Sequence, residues 1–361
     1  MSTKTKAPAK AKKPVNPQKK ALITAMKKTV NANTVLPILE DILFTPGFAM
    51  VSDIENYVSV PFDMPGVPEG GVCIPAKMFG EIMEMVESPS VTVDKHFGVE
   101  LAEGARKIKL MGEDPMNYLK IPAEDFNHVG TFEKQQIQDI ETALCFVSKD
   151  DLRPAMTGIY FHTHIAATDA HRLFWKPIDP VMVDFILPAK AAKIMLAMGG
   201  EKWEVYHTGQ VHVCLINEAG VTIISRCIDA RFPDYDAVIP KDKPNLKVFA
   251  HPDMLLRELK NAGKFANRST NQVTFNFNGK ATIASQDVDF SFEYQNVVEG
   301  VEIHFDKSYG KVMQIAFNEK FLTEVVHKTP ADSPVKIDMW GPTKCAVIND
   351  HYLVMPLMLG S

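Results

Sequence analysis

The sequence predicts an α+β protein of three similar domains, each with two helices packed on β-sheets, and three observations predict it. Ile74-Pro75-Ala76-Lys77 opens an apolar-periodic run, and Leu187-Pro188-Ala189-Lys190 opens a second one. EDPMNYLKIPAED from Glu113 is echoed by ARFPDYDAVIPKD from Ala230, each with two prolines seven apart (Pro115 and Pro122, Pro233 and Pro240) around a tyrosine. The order helix, strands, helix, strands then comes a third time. The repeating unit is about 115 residues, domain-sized and well above the period of solenoid repeats. Copied domains point to a scaffold or ring rather than a single-cleft enzyme.

Residues 1–18 are Lys/Ala/Pro with almost nothing to bury, and are expected to be a disordered tail. The first unit then runs over 19–132. KKALITAMKKTV places Leu22, Ile23 and Met26 on one helical face, with Lys19, Lys20, Lys27 and Lys28 around the other. LEDILFTPG and AMVSDI read as strands, IPAKMFGEIMEMV as the second helix, and VTVDKHFGVEL and RKIKLMG as further strands.

The second unit, 133–246, repeats that order. IQDIETALCFVSKDD is its first helix and GIYFHTHIAATD a pair of strands. LPAKAAKIMLAMGG is its second helix, ended by Gly199-Gly200. WEVYHTGQVHVCLINEAGVTIISRCI reads as alternating strands with turns at Thr208-Gly209 and Ala219-Gly220. The third unit, 247–361, opens with the helix HPDMLLRELKNAGKF, proline early and Leu255, Leu256 and Leu259 as its stripe. NQVTFNFNGKATIASQ is a hairpin turning at Asn278-Gly279. FNEKFLTEVVHKT is the last helix, and VKIDMWG, KCAVIND and HYLVMPLML close the chain as strands. First helices thus start near residues 19, 138 and 252, second helices near 75, 188 and 318.

Composition bounds the function. Apolar residues make up 46% and charged residues 23% of 361, as in soluble globular proteins. No apolar run is long enough to span a bilayer, and no apolar core of signal-peptide type lies near the first residues. Cys73, Cys145, Cys214, Cys227 and Cys345 lie far apart, so they read as reduced core residues of a cytosolic protein. Net charge is −5, yet residues 1–20 hold seven lysines and no acid, so the body is more acidic still. The basic side chains concentrate on the helices: Lys19, Lys20, Lys27 and Lys28; Lys149 and Arg153 at the end of the next; then Arg257, Lys260 and Lys264. Second helices add Lys77, Lys190, Lys193, Lys320 and Lys328. If the helices face one way, that side is basic while the molecule stays acidic.

An enzyme reading rests on His162, His164, Asp169 and His171: H-x-H on a strand would put both rings on one face for a metal. Against it, the sequence has no H-E-x-x-H, P-loop or G-x-S-x-G motif.

Five collinear segments resemble the bacterial DNA polymerase III beta sliding clamp family. They are LPILEDILF from Leu36, LRPAMTGIYF from Leu152 with ATDAHRL from Ala167, RFPDYDAVIP from Arg231, FNEKFLTEVV from Phe317 and YLVMPLML from Tyr352. The resemblance implies three domains of the DNA-clamp fold in a ring-forming head-to-tail homodimer. It implies a processivity factor without catalysis, cofactor or metal, working on double-stranded DNA in the cytoplasm at the nucleoid and touching no membrane. Its DNA-facing cations would be Lys19, Lys20, Lys27, Lys28, Lys77, Lys149, Arg153, Lys190, Lys193, Arg257, Lys260 and Lys264. Its partners would be a second copy, the replicative polymerase alpha subunit, the clamp loader and other proteins carrying a clamp-binding motif.

Those proteins would dock in a peptide pocket whose matching positions are Arg153, Met156, Thr168, Ala170, His171, Arg172, Leu173, Pro233, Val238, Asn318, Phe321, Leu353, Val354, Met355, Pro356 and Leu357. Ile108, Leu110 and Phe265 match subunit-contact positions. This chain departs from the pattern at Ala170 (usually glycine) and at Met358 and Ala237 (often basic). Pro154-Ala155 and Asn33 stand where DNA-touching side chains occur.

Overall fold

The computed structural model describes residues 16–31, 34, 36–122, 124–179, 181–209 and 211–359. Most of the tail expectation and the whole of Asn33, Gly360 and Ser361 lie outside them; Pro17 and Gln18, expected in the tail, are already helical.

In chain order the elements are α1 (Pro17–Thr29), β1 (Asp41–Thr45), β2 (Phe48–Ser52), β3 (Asn56–Pro61), β4 (Val72–Pro75), α2 (Ala76–Met85), β5 (Ser90–Val93), β6 (Gly98–Glu103) and β7 (Arg106–Met111). Next come β8 (Asn127–Glu133), α3 (Lys134–Ala143), β9 (Gly158–Phe161), β10 (His164–Thr168), β11 (Arg172–Pro177), β12 (Phe185–Pro188), α4 (Ala189–Met198), β13 (Lys202–His207), β14 (His212–Asn217) and β15 (Thr222–Arg226). The last are β16 (Leu246–Ala250), α5 (Pro252–Gly263), β17 (Gln272–Phe277), β18 (Ala281–Asp287), β19 (Phe292–Val297), β20 (Val301–Phe305), β21 (Met313–Asn318), α6 (Glu319–Val326), β22 (Val335–Met339), β23 (Ala346–Ile348) and β24 (Tyr352–Val354).

Helix starts follow capping chemistry. Asn16 Oδ1 accepts from Gln18 N at 2.9 Å and Pro17 takes the first helical position, so α1 begins two residues before Lys19. Likewise α3 begins at Lys134 because Gln136 Oε1 accepts from Glu133 N at 3.1 Å, half of a capping box with glutamate at the cap. It ends at Ala143, so Lys149 and Arg153 sit on the loop beyond it rather than at its end. Gly199 and Gly200 terminate α4 with φ of +74° and +115°. The Asn278-Gly279 hairpin has three loop residues, not two. Phe277 pairs with Ala281, and only Gly279 is left-handed (φ +69°), whereas the two-residue turn needs both central residues there.

Two compact units result, one of residues 1–131 with 193–226, the other of 132–192 with 227–361. The first holds an antiparallel sheet ordered β4-β1-β2-β3-β15-β14-β13-β8 and a small sheet β5-β6-β7. Its helix α1 buries Leu22, Ala25 and Met26 and packs on β2 and β3. The second holds a sheet ordered β12-β9-β10-β11-β24-β23-β22-β16-β20 and a four-stranded sheet β19-β18-β17-β21. There α5 and α6 pack on one another, α5 on β17 to β19 and α6 on β21 and β24. In each large sheet, strands of successive sequence repeats pair: β15 joins β3 with Ile223 opposite Val58, and β24 joins β11 with Leu353 opposite Leu173.

Candidate functional site

The segment Thr168-Asp169-Ala170-His171-Arg172 folds into the tight turn between β10 and β11. Thr168 Oγ1 donates to Arg172 O at 2.6 Å and accepts from Ala170 N at 3.1 Å. Asp169 Oδ1 accepts from the amides of His171 and Arg172 at 3.0 and 2.8 Å, an Asx turn. Ala170 takes φ +72°, a conformation glycine adopts without strain.

The turn aims Arg172 inward, where its side chain is 8% exposed. Nε and one terminal nitrogen donate to Asp169 Oδ2 at 3.1 and 2.9 Å, and that nitrogen also reaches Cys145 O at 3.1 Å. The other terminal nitrogen donates to Glu324 Oε2. The guanidinium lies 5.1 Å from the Phe146 ring centroid and 4.4 Å from that of Phe321, which also stacks on His171 at 6.0 Å. A buried cation is tolerated in this way, with its donors matched and aromatic faces around it.

The C-terminal strand completes the site. Met355 N donates to His171 O at 2.9 Å, and Leu357 N donates to Ala316 O at 2.8 Å. The stretch between is thereby stitched to the turn on one side and to β21 on the other. Leu173 and Leu353 are buried with Ala166, Ile186, Phe232 and Cys345, and Ala155, Tyr235 and Ile239 pack against that cluster. The Cys345 thiol points to Val238 O at 3.8 Å, and the Val238 side chain itself is exposed. Met355, bonded to the turn through its N–H, and Met358 are exposed too. Apolar side chains standing free next to a polar turn suit a peptide carrying apolar anchors.

Of the expected pocket residues, the structure therefore gathers Thr168, Ala170, His171, Arg172, Leu173, Phe321, Leu353, Val354, Met355 and Leu357 around one turn and strand, with Pro356 between the last two. Pro233 and Val238 belong to the segment lying over the apolar cluster. The others spend their polar groups locally. Asn318 caps α6, accepting from Lys320 N and donating to Thr270 O, both at 3.0 Å. Arg153 is exposed and pairs with Asp150 at 3.6 Å, and Met156 lies in the single turn Pro154–Thr157. Sequence reasoning missed Glu324 and Phe146. Glu324 carried a faint signal, lying three residues beyond Phe321 on the same helical face.

Among the expected DNA-facing cations, Lys20, Lys27, Lys28, Lys77, Lys149, Lys193, Arg257, Lys260 and Lys264 are exposed, and Lys190 is half-buried. Lys19 is different: its ammonium donates to Val86 O at 2.9 Å, lies 3.8 Å from Glu87, and is nearly buried on the apolar side of α1. Ile108 and Leu110 lie on β7, the outer strand of its small sheet, half-buried. Phe265 stacks on Tyr294 at 5.5 Å, beside β19, which is likewise an outer strand and carries the exposed Phe292. His162 and His164 do not share a strand face, as the enzyme reading required. His162 lies in the turn after β9, and its backbone N–H reaches His164 O. Among the described residues no cluster of three or more His, Cys, Asp or Glu is placed to hold a metal.

The sequence matches no family model. It is 22% identical to the beta sliding clamp of Chlamydia pneumoniae, over 94% of this chain and 96% of that protein. Against the beta sliding clamp of Salmonella typhimurium the identity is 24%, over 90% and 93%. The fold superposes on the DNA polymerase III beta subunit of Thermotoga maritima with a TM-score of 0.81 at 20% identity, over 96% of this chain and 99% of that one. A sliding clamp from Pseudomonas aeruginosa bound to griselimycin gives 0.80 at 18% identity, over 94% and 98%. The chain thus has the fold of the DNA polymerase III beta subunits and is similar along almost its whole length to the bacterial beta sliding clamps.

Proposed function

We propose that this chain is a DNA sliding clamp. Two copies close head to tail into a ring around duplex DNA, and the ring tethers the replicative polymerase without catalysing anything. The observation that carries the reading is end-to-end likeness, in sequence and in fold, to proteins named beta sliding clamp. The repeats 19–132, 133–246 and 247–361 are the three clamp domains in this reading.

The exposed helix cations supply a diffuse attraction to phosphates that reads no bases, so no sequence becomes a stop. Retention comes from topology, and affinity can stay low. The outer strands β7 and β19, with Ile108, Leu110 and Phe265, are the two halves of the head-to-tail contact. Such a heterologous interface ends in a ring only because the rotation closes. The turn at 168–173 with the 353–357 strand receives peptides from the polymerase alpha subunit, the clamp loader and other clamp-binding proteins, in the cytoplasm at the nucleoid.

The test is retention on DNA. Protein loaded on closed circular DNA should survive a high-salt wash and be lost after linearisation. Equal retention on both forms contradicts encirclement.

A further inference from the structure

We propose that Glu258 is the positioning residue of the subunit contact: its buried carboxylate holds β19 where that strand can pair with β7 of a second copy. The inference rests on the head-to-tail reading above. Inside the chain, successive repeats are joined by one rule. The third strand after a repeat's first helix pairs with the last strand after the next repeat's second helix, β3 with β15 and β11 with β24. By the same count the third repeat offers β19 and the first offers β7, and each ends its sheet with one side open.

Little apolar burial fixes β19, since every residue of it except Tyr294 is exposed. Its alternate residues Phe292, Tyr294 and Asn296 turn to one side, and α5 meets them with a charge. Tyr294 Oη and Asn296 Nδ2 donate to the same oxygen, Glu258 Oε2, at 2.7 and 2.8 Å, and Arg257 Nε donates to Oε1 at 3.1 Å. The Glu258 side chain is 3% exposed, so these donors take the place of water around it. Phe265, just past the end of α5, stacks on Tyr294 and meets Phe292 edge-on at 6.4 Å.

The second repeat shows the same device at a joint that is already made. Asp139, a buried acid on α3, stands one residue before the fully buried Ile140, as Glu258 stands one before the fully buried Leu259. Its carboxylate holds Lys176 Nζ of β11 at 2.9 Å, and β11 is the strand that pairs with β24. An acid on the first helix thus braces the third strand at a joint inside the chain, and Glu258 braces the corresponding strand at the open one. A strand held in place before its partner arrives loses less freedom on pairing.

The experiment mixes donor-labelled and acceptor-labelled copies of the full-length protein and follows subunit exchange by energy transfer. Glu258→Ala should exchange about tenfold faster than the unsubstituted chain, the size of one lost hydrogen bond to a charged group. Glu258→Gln keeps an oxygen for both donors and should exchange near the original rate. Tyr294→Phe and Asn296→Ala together remove the donors from the strand side and should match Glu258→Ala, with no further effect when all three are combined. Peptide binding at the 168–173 turn should stay unchanged throughout, which a general loss of folding would not allow. Unchanged exchange in Glu258→Ala, or Glu258→Gln as fast as Glu258→Ala, overturns the inference and leaves the dimer standing. Should Glu258→Ala fail to fold, unchanged exchange in the Tyr294 and Asn296 variant overturns it instead. An unsubstituted chain that sediments as a monomer overturns the head-to-tail reading, and the inference with it.

Discussion

Single residues hold two departures from ordinary chemistry. Asp41, the first residue of β1, is buried with Oδ2 unpartnered, near Glu113 and Glu40. Burial first, then those two carboxylates, push its pKa up to about 7. The folded chain keeps this proton while the unfolded chain releases it near pH 4, so the stability it supports is complete below that pH and is lost as pH rises through 7. Asp41→Asn should therefore raise stability at pH 8 by about 2–3 kcal/mol and flatten the slope of chemical-denaturation midpoints between pH 4 and 8. Ala170 is the second case. With φ at +72°, Ala170→Gly should stabilise the turn by about 0.5–1 kcal/mol, read as a higher urea midpoint with unchanged slope. That strain was legible as a departure from a pattern that wants glycine. The charge state of Asp41 was not, because it depends on burial and on Glu113, which the fold brings in from far along the chain.

At the scale of elements, periodicity and proline placed all six helices and capping decided their starts. The second helices begin at 76, 189 and 319, within a residue of expectation, because proline or asparagine marks each cap in the sequence. The first helices slipped where the cap was atypical: Glu133 is not a usual capping residue, and Asn16-Pro17 sat inside a stretch read as tail. Edge strands such as β19 and β20 were unread, since Phe292–Val297 and Val301–Phe305 are too polar or too short to stand out. The proposed docking site was drawn from the turn and the strand in the sequence, but the side chains that immobilise Arg172 were not, because they come from elements far apart in sequence. Deleting residues 355–361 removes the Met355 and Leu357 backbone bonds but leaves β7 and β19 untouched. Peptide binding should be abolished while sedimentation still reports a dimer; an unchanged peptide Kd would mean the docking site lies elsewhere.

For the whole molecule, charge is partitioned. A net −5 chain carries most of its exposed helix cations on α1 and α5. Replacing Lys20, Lys27 and Lys28 together with glutamine should speed diffusion along DNA and lower the salt dependence of loading, with the dimer and the peptide Kd unchanged. Single-molecule tracking reads the first effect and loading against ionic strength the second. Lys19→Gln should instead act on folding, because its ammonium already serves Val86 O. The pairing of β15 with β3 bears on the chain's birth as well. While a ribosome is still making the first 200 residues or so, the strand Asn56–Pro61 has a neighbour on one side only. Until Thr222–Arg226 emerges, the nascent protein carries an unprotected seam that a chaperone, or another nascent chain, can occupy.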